Sequence, residues 1–242
     1  MLLHVSNLTK RYGHLAALSE VSFSIRPGEV LGLIGPNGSG KTTLFECLGG
    51  VLPADAGSVS ENGRALGAGE RKARVFYLPD AIAPWPTQPL RWALDFVLGF
   101  FDGPLAKRDD VVRQLDLDPL LDSAIGTLSK GQRKRALLAI GLLTPQPILL
   151  ADEPFDGLDL RQTREVAETL RSHAGAGRTM FLSIHQINDA ARVCDRFVLL
   201  SGGRVCGEGT IDELSRRAAA LDSREAGRAE RGSLEEVFLA LT

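Results

Sequence analysis

Eight consecutive residues, Gly35-Pro36-Asn37-Gly38-Ser39-Gly40-Lys41-Thr42, satisfy G-x-x-x-x-G-K-[ST] at every position. Glycines there let the backbone wrap so that its N–H groups point inward at phosphate oxygens. A helix beginning at this loop adds partial positive charge. Lys41 is then placed for the β- and γ-phosphates, and the Thr42 hydroxyl for Mg²⁺. Thr43, next in line, completes the candidate nucleotide-binding set. A second constellation stands over a hundred residues later, where ILLADEP ends an apolar run in two acids. Asp152 is placed to hold Mg²⁺, usually through a water. Glu153, one residue on, points differently and can act as general base on an attacking water.

Both constellations need strands beneath them. VLGLIG, ahead of the loop, is a continuous apolar run suited to a buried strand, and KTTLFECLGG suits the helix that follows. The N-terminal stretch alternates short β-like runs with turn residues, and GSVSENG suits an edge hairpin. VFYLPD suits a short buried strand ending in an acid, Asp80. From Pro84 to about Leu143 the pattern turns helical, with Trp92, Phe96 and Phe100 at i, i+4 and i+8; that spacing favours the core of a small helical subdomain. The β-like runs PILLAD, RTMFLSI and RFVLL then alternate with LRQTREVAETLRSHA and INDAARVC, which implies a parallel sheet with crossover helices. The expected fold is α/β: a P-loop NTPase core with a parallel sheet, an N-terminal antiparallel β subdomain and an inserted helical subdomain at about residues 84–143. Residues 1–217 form the expected NTPase domain. Residues 218–242 read as a linker followed by a short helix that starts at Ser233 and Glu236.

Composition narrows the function classes. The 242 residues carry a formal net charge of -2 and 24% charged residues, which argues against a nucleic-acid binder. Cys47, Cys194 and Cys206 are odd in number and form no CxxC pair, so disulfide and zinc readings are weak and a reducing cytosolic compartment is expected. The opening MLLHVSNLTK lacks a long apolar region, and no window reaches the ~18 apolar residues of a membrane span.

The segment TLSKGQRKRALLAIGLL resembles the signature of ATP-binding cassette (ABC) ATPases, with Leu128-Ser129-Lys130-Gly131-Gln132 in the place of that family's LSGGQ. The phosphate loop, ILLADEP, the loop Phe155–Asp159 and LSIHQINDAARVCDR fall in the family's order. The resemblance runs from Leu3 to about Leu214. It implies that Tyr12 stacks on adenine, and that Ser129 and the Gly131 N–H meet the γ-phosphate of ATP held by a second subunit, with Gln132 beside them in the nucleotide-binding set. It implies further that His185 contacts the γ-phosphate and that Asp159 lies in the loop crossing to the partner. ATP and Mg²⁺ are the implied ligands. The implied partners are an integral membrane permease and a second copy or a homologous ATPase subunit, with the chain peripheral at the inner face of the cell membrane.

Two positions depart from the family. Lys130 replaces a signature glycine and either adds charge near the phosphates or points to solvent. Asp80 stands where the family has a glutamine that reaches toward Mg²⁺ and the attacking water, so it is a candidate catalytic residue that would attract metal and repel bare phosphate. Trp85, in the proline-rich APWPTQP loop, is a candidate contact for the permease. The leading reading is an ATPase subunit that powers a separate permease, with export expected because the ending SLEEVFLALT resembles those of bacterial ABC export ATPases. A soluble ABC ATPase acting on nucleic acid or ribosomes, or a P-loop small-molecule kinase, are the alternatives. One cassette without heptads speaks against the first, and the signature helix with Glu153 against the second.

Overall fold

The computed structural model describes residues 2–80, 82–185 and 187–222, without the side chains of 187–189 and 221–222. Among them, two sheets form. Strands β1 (Leu3–Tyr12), β2 (Leu15–Ile25), β4 (Ala56–Glu61) and β5 (Arg64–Ala65) make an antiparallel sheet in the order β2-β1-β4-β5. The turn from β4 to β5 is Asn62-Gly63, both at positive φ (48° and 84°), the pairing that a tight hairpin demands.

The second sheet has the order β10-β9-β3-β8-β7-β6. It contains β3 (Val30–Ile34), β6 (Val75–Leu78), β7 (Ile148–Asp152), β8 (Thr179–Ser183), β9 (Arg196–Ser201) and β10 (Arg204–Gly209). All neighbours pair in parallel except β10, which runs antiparallel on β9. Every residue of β3, β7 and β8 is buried, as expected of parallel strands covered on both faces. One face packs on α1 (Lys41–Leu48) and the antiparallel sheet, where the rings of Phe23, Phe45 and Phe181 meet. The opposite face packs on α6 (Leu160–Gly175), α7 (Ile187–Val193), α8 (Ile211–Asp222) and the helical region. Helix α2 (Ala68–Arg74) leads into β6.

The helical region comprises α3 (Leu90–Phe100), α4 (Leu105–Gln114) and α5 (Lys130–Leu143). Leu90, Ala93, Leu94, Val97 and Leu98 form the buried face of α3. The expectation that Trp92, Phe96 and Phe100 build this core is corrected: they are 40%, 47% and 71% exposed. The helix carries two apolar stripes, and the one with smaller, more flexible side chains faces α4 and α5. Helix α5 is fastened at its C-terminal end. The Arg178 guanidinium donates to the carbonyls of Gly141 and Leu142 and to the Thr144 hydroxyl, each at 2.9 Å. Lys107 Nζ donates to the Leu143 carbonyl at 3.0 Å. Cations there satisfy end carbonyls and complement the helix dipole. Burial pulls Arg178 down to about 10.

Residues 218–222, expected to open a linker, instead continue α8. Three alanines in that run favour helix, and the pattern of charged and small residues concealed it. The expected terminal helix from Ser233 lies outside the described residues.

Candidate nucleotide site

The carboxyl ends of β3, β6, β7 and β8 converge at one edge of the sheet, the usual ligand crevice of open parallel sheets. The phosphate loop leaves β3 there and enters α1. Gly40, its last residue before the helix, sits at φ 103°, and a Cβ on it would stand 2.5 Å from the Ala17 carbonyl oxygen of β2. A Cβ on Gly35 would stand 2.3 Å from the Leu200 carbonyl oxygen. Glycine is thus demanded by backbone conformation at the first position and by close packing at both. Ser39 Oγ is buried without a hydrogen-bond partner. Lys41 Nζ donates to the carbonyls of Gly35 and Pro36 at 2.8 and 3.1 Å. Burial pulls its ammonium below the usual lysine value, against the attraction of Glu153 and Asp152.

The acids arrive from β7. Asp152 accepts a hydrogen bond from the Thr42 hydroxyl at 2.9 Å and one from the Ser183 hydroxyl. A threonine oxygen and a carboxylate side by side at the head of a phosphate loop are hard ligands suited to Mg²⁺. With the unpartnered Ser39 hydroxyl and the glycine cradle, the residues fit a magnesium–nucleotide. Glu153 turns away from Asp152 because its backbone is left-handed, at φ 50°. That conformation is strained for a non-glycine residue, by about 1–3 kcal/mol, and such strain concentrates at functional turns. The turn is fixed by the Glu153 N–H, which donates to Ser183 Oγ at 2.9 Å. It aims the Glu153 carboxylate at His185, with Oε1 and Nε2 2.5 Å apart. A cavity of about 910 Å³ opens beside Glu153 and His185, with Asn37 and Asp159 in its wall.

Of the sequence candidates, Lys41, Thr42, Asp152, Glu153 and His185 are brought together. Tyr12 ends β1, half-exposed, on the same hairpin as Ala17, with Lys10 Nζ 5.8 Å from its ring centre. Ser129 and Gln132 cap the start of α5 reciprocally, at 3.3 and 2.9 Å. Gly131 packs so closely on the loop after β7 that a Cβ would stand 2.6 Å from the Gly157 carbonyl oxygen. Asp159 caps α6 by accepting from the Gln162 N–H at 2.8 Å. Lys130 is exposed, and its Nζ also pairs with Asp156 at 2.5 Å, which raises its pKa.

Asp80 stands within the site, since its carboxylate lies within 4.8 Å of those of Glu153 and Asp156. It is also ion-paired to Lys134 of α5. Lys134 and Ser183 were both missed by sequence reasoning. The available signal for Ser183 was its place at the end of an apolar strand, matching that of Asp152. Lys134, amid KGQRKR, gave none.

The family model described as ABC transporter matches residues 18–156. The chain belongs to this family. Among its relatives, the Nod factor export ATP-binding protein I of Rhizobium etli is 34% identical over 219 residues, covering 86% of this chain and 69% of the relative. The phosphonates import ATP-binding protein PhnC of Maricaulis maris is 33% identical over 245 residues, covering 89% and 90%. Among solved structures, an ATP-binding subunit of an ABC transporter is similar at a TM-score of 0.85 and 29% identity, covering 100% of this chain and 99% of that one. The family agrees with the observed architecture: a parallel P-loop sheet, an antiparallel β subdomain and a helical region. It is a family of nucleotide-binding ATPases, and no helix among the described residues is long and apolar enough to cross a membrane.

Proposed function

We propose that this chain is the ATP-hydrolysing subunit of a membrane transporter and drives a separate permease from the inner face of the membrane. The observation that carries the reading is the joint placement of Asp152 on Thr42 and of Glu153 on His185, at the mouth of one glycine-rich loop. Lys41 and the loop amides hold the phosphates. Glu153 takes the proton of the attacking water, and His185 orients that carboxylate and faces the γ-phosphate. Magnesium, when bound at Thr42 and Asp152, neutralises phosphate charge.

The cavity beside Glu153 is lined by the Asp159 loop, and Ser129 lies at an exposed helix start. A second cassette set head to tail would cover both. ATP then joins two cassettes, and hydrolysis releases them. The relative named for Nod factor export supports an exporter, whereas the phosphonate relative is named for import. Transport assays in vesicles of both orientations, with the permease co-reconstituted, decide the direction. Loss of phosphate release from ATP in the purified chain would defeat the ATPase reading.

This reading assigns the permease contact to the aromatic patch. Trp85 stacks edge-on against Trp92 and Phe96 with ring centres 5.5 and 5.3 Å apart, all three partly exposed. Rigid, clustered aromatics are typical interface anchors. Trp85→Ala is expected to weaken co-purification with the permease about tenfold or more while the isolated chain keeps its fold and ATP affinity. Unfolding of the isolated variant would instead make Trp85 a core residue.

A further inference from the structure

Lys134 occupies the second turn of α5 and is 4% exposed, although a methionine would fill the same space without a charge to desolvate. Its ammonium has two partners on two different strand ends. It pairs with the Asp80 carboxylate and reaches the Asp152 backbone carbonyl at 3.4 Å. The strands concerned, β6 and β7, are hydrogen-bonded neighbours, with Leu78 opposite Ala151. Asp152 is the last residue of β7, and Asp80 lies two residues past the end of β6. Lys134 clasps them there and joins both to α5.

What lies beyond each strand end differs. Past Asp152 come Glu153 and the turn aimed at His185. Past Asp80 the chain runs through the proline-rich segment to α3, with Trp85 held in left-handed backbone at φ 49° against Trp92 and Phe96. One buried ammonium thus links the metal-holding strand to the segment that bears the aromatic patch. Lys130, one turn earlier, adds a parallel link through Asp156, whose carboxylate neighbours those of Asp80 and Glu153.

We infer that Lys134 is a positioning residue that couples the nucleotide end of β7 to the aromatic patch through its ion pair with Asp80. Events at Asp152 and Glu153 reach Trp85 because both strand ends share this brace. The inference rests on the ATPase reading above.

The test uses the full-length chain and five forms: wild type, Lys134→Met, Lys134→Gln, Asp80→Asn and the double variant Asp80→Asn/Lys134→Gln. Trp85 and Trp92 are the two tryptophans of the chain, so intrinsic emission reports on the patch directly. In the wild type, Mg·ATP changes that emission. In Lys134→Met the ATP dissociation constant stays within about threefold, most of the emission change disappears and kcat falls about tenfold, with KM little altered. The double variant, in which two amides replace the ion pair, loses no more than the worse of its single parents, as expected of groups acting on each other. A purely structural pair would lower the melting temperature and leave the emission response and kcat intact, and that result overturns the inference. So do single losses that multiply in the double variant, or an absent emission change in a wild type that binds and hydrolyses ATP. Should Lys134→Met fail to fold, Asp80→Asn, with its half-exposed side chain, decides by the same two readouts. A wild type that turns over no ATP would defeat the ATPase reading itself.

Discussion

Glu153→Gln is expected to bind ATP as the parent does and to lose turnover by about 10²-fold or more. Glutamine keeps the shape and can still face His185, but it accepts no proton at neutral pH, so the general-base contribution disappears. The substitution does not disturb the turn, because the bond that fixes it runs from the Glu153 N–H to Ser183. It also removes one of three carboxylates gathered within 4.8 Å, so the melting temperature should not fall. With hydrolysis blocked, ATP should hold two chains together, visible as a doubled mass by size-exclusion chromatography with light scattering. Undiminished phosphate release from the variant would place the base elsewhere.

Lys41→Met should weaken ATP binding by one to two orders of magnitude. The lysine stem is buried and methionine fills nearly the same volume, so the fold survives and a thermal melt should move little. What is lost is the ammonium, which now spends its donors on the Gly35 and Pro36 carbonyls at 2.8 and 3.1 Å. Those carbonyls mark how closely it follows the loop that would wrap a triphosphate. A hydrogen bond to a charged group contributes about 1.5–3 kcal/mol, and each ~1.4 kcal/mol is tenfold in affinity. Isothermal titration with ATP measures the change. An unaltered dissociation constant would show that the loop amides alone anchor the phosphates.

The phosphate loop and the acid pair were legible because their chemistry is local. A glycine at φ 103° and an acid at the end of an all-buried strand leave marks in consecutive residues. The parallel sheet was legible for the same reason, since strands buried on both faces read as unbroken apolar runs. Lys134 was not, because a lysine in a helix rich in Arg and Lys looks solvated until tertiary contacts show the strand ends above it. The aromatic stripe of α3 misled because helical spacing reveals a shared face but not which of two apolar faces turns inward. Lys130 pairs with Asp156 across 26 positions of sequence, through a loop whose path only the fold determines.

The fastening of α5 has a mechanical consequence. Arg178 and Lys107 grip its last turn, whereas its first turn is held by one packed glycine and a half-exposed ion pair. A tilt of the helix about that fastened end would make it an arm pivoting at Leu143. Fourteen residues at ~1.5 Å each give an arm of about 21 Å. A tilt of roughly 10° about the fulcrum sweeps Ser129 through nearly 4 Å on that arm, farther than a hydrogen bond can stretch. Lys134, only partway along, would move less. The same tilt would carry Lys134, on an arm of about 13.5 Å, through roughly 2 Å, so contacts at the tip and at the brace would be broken together.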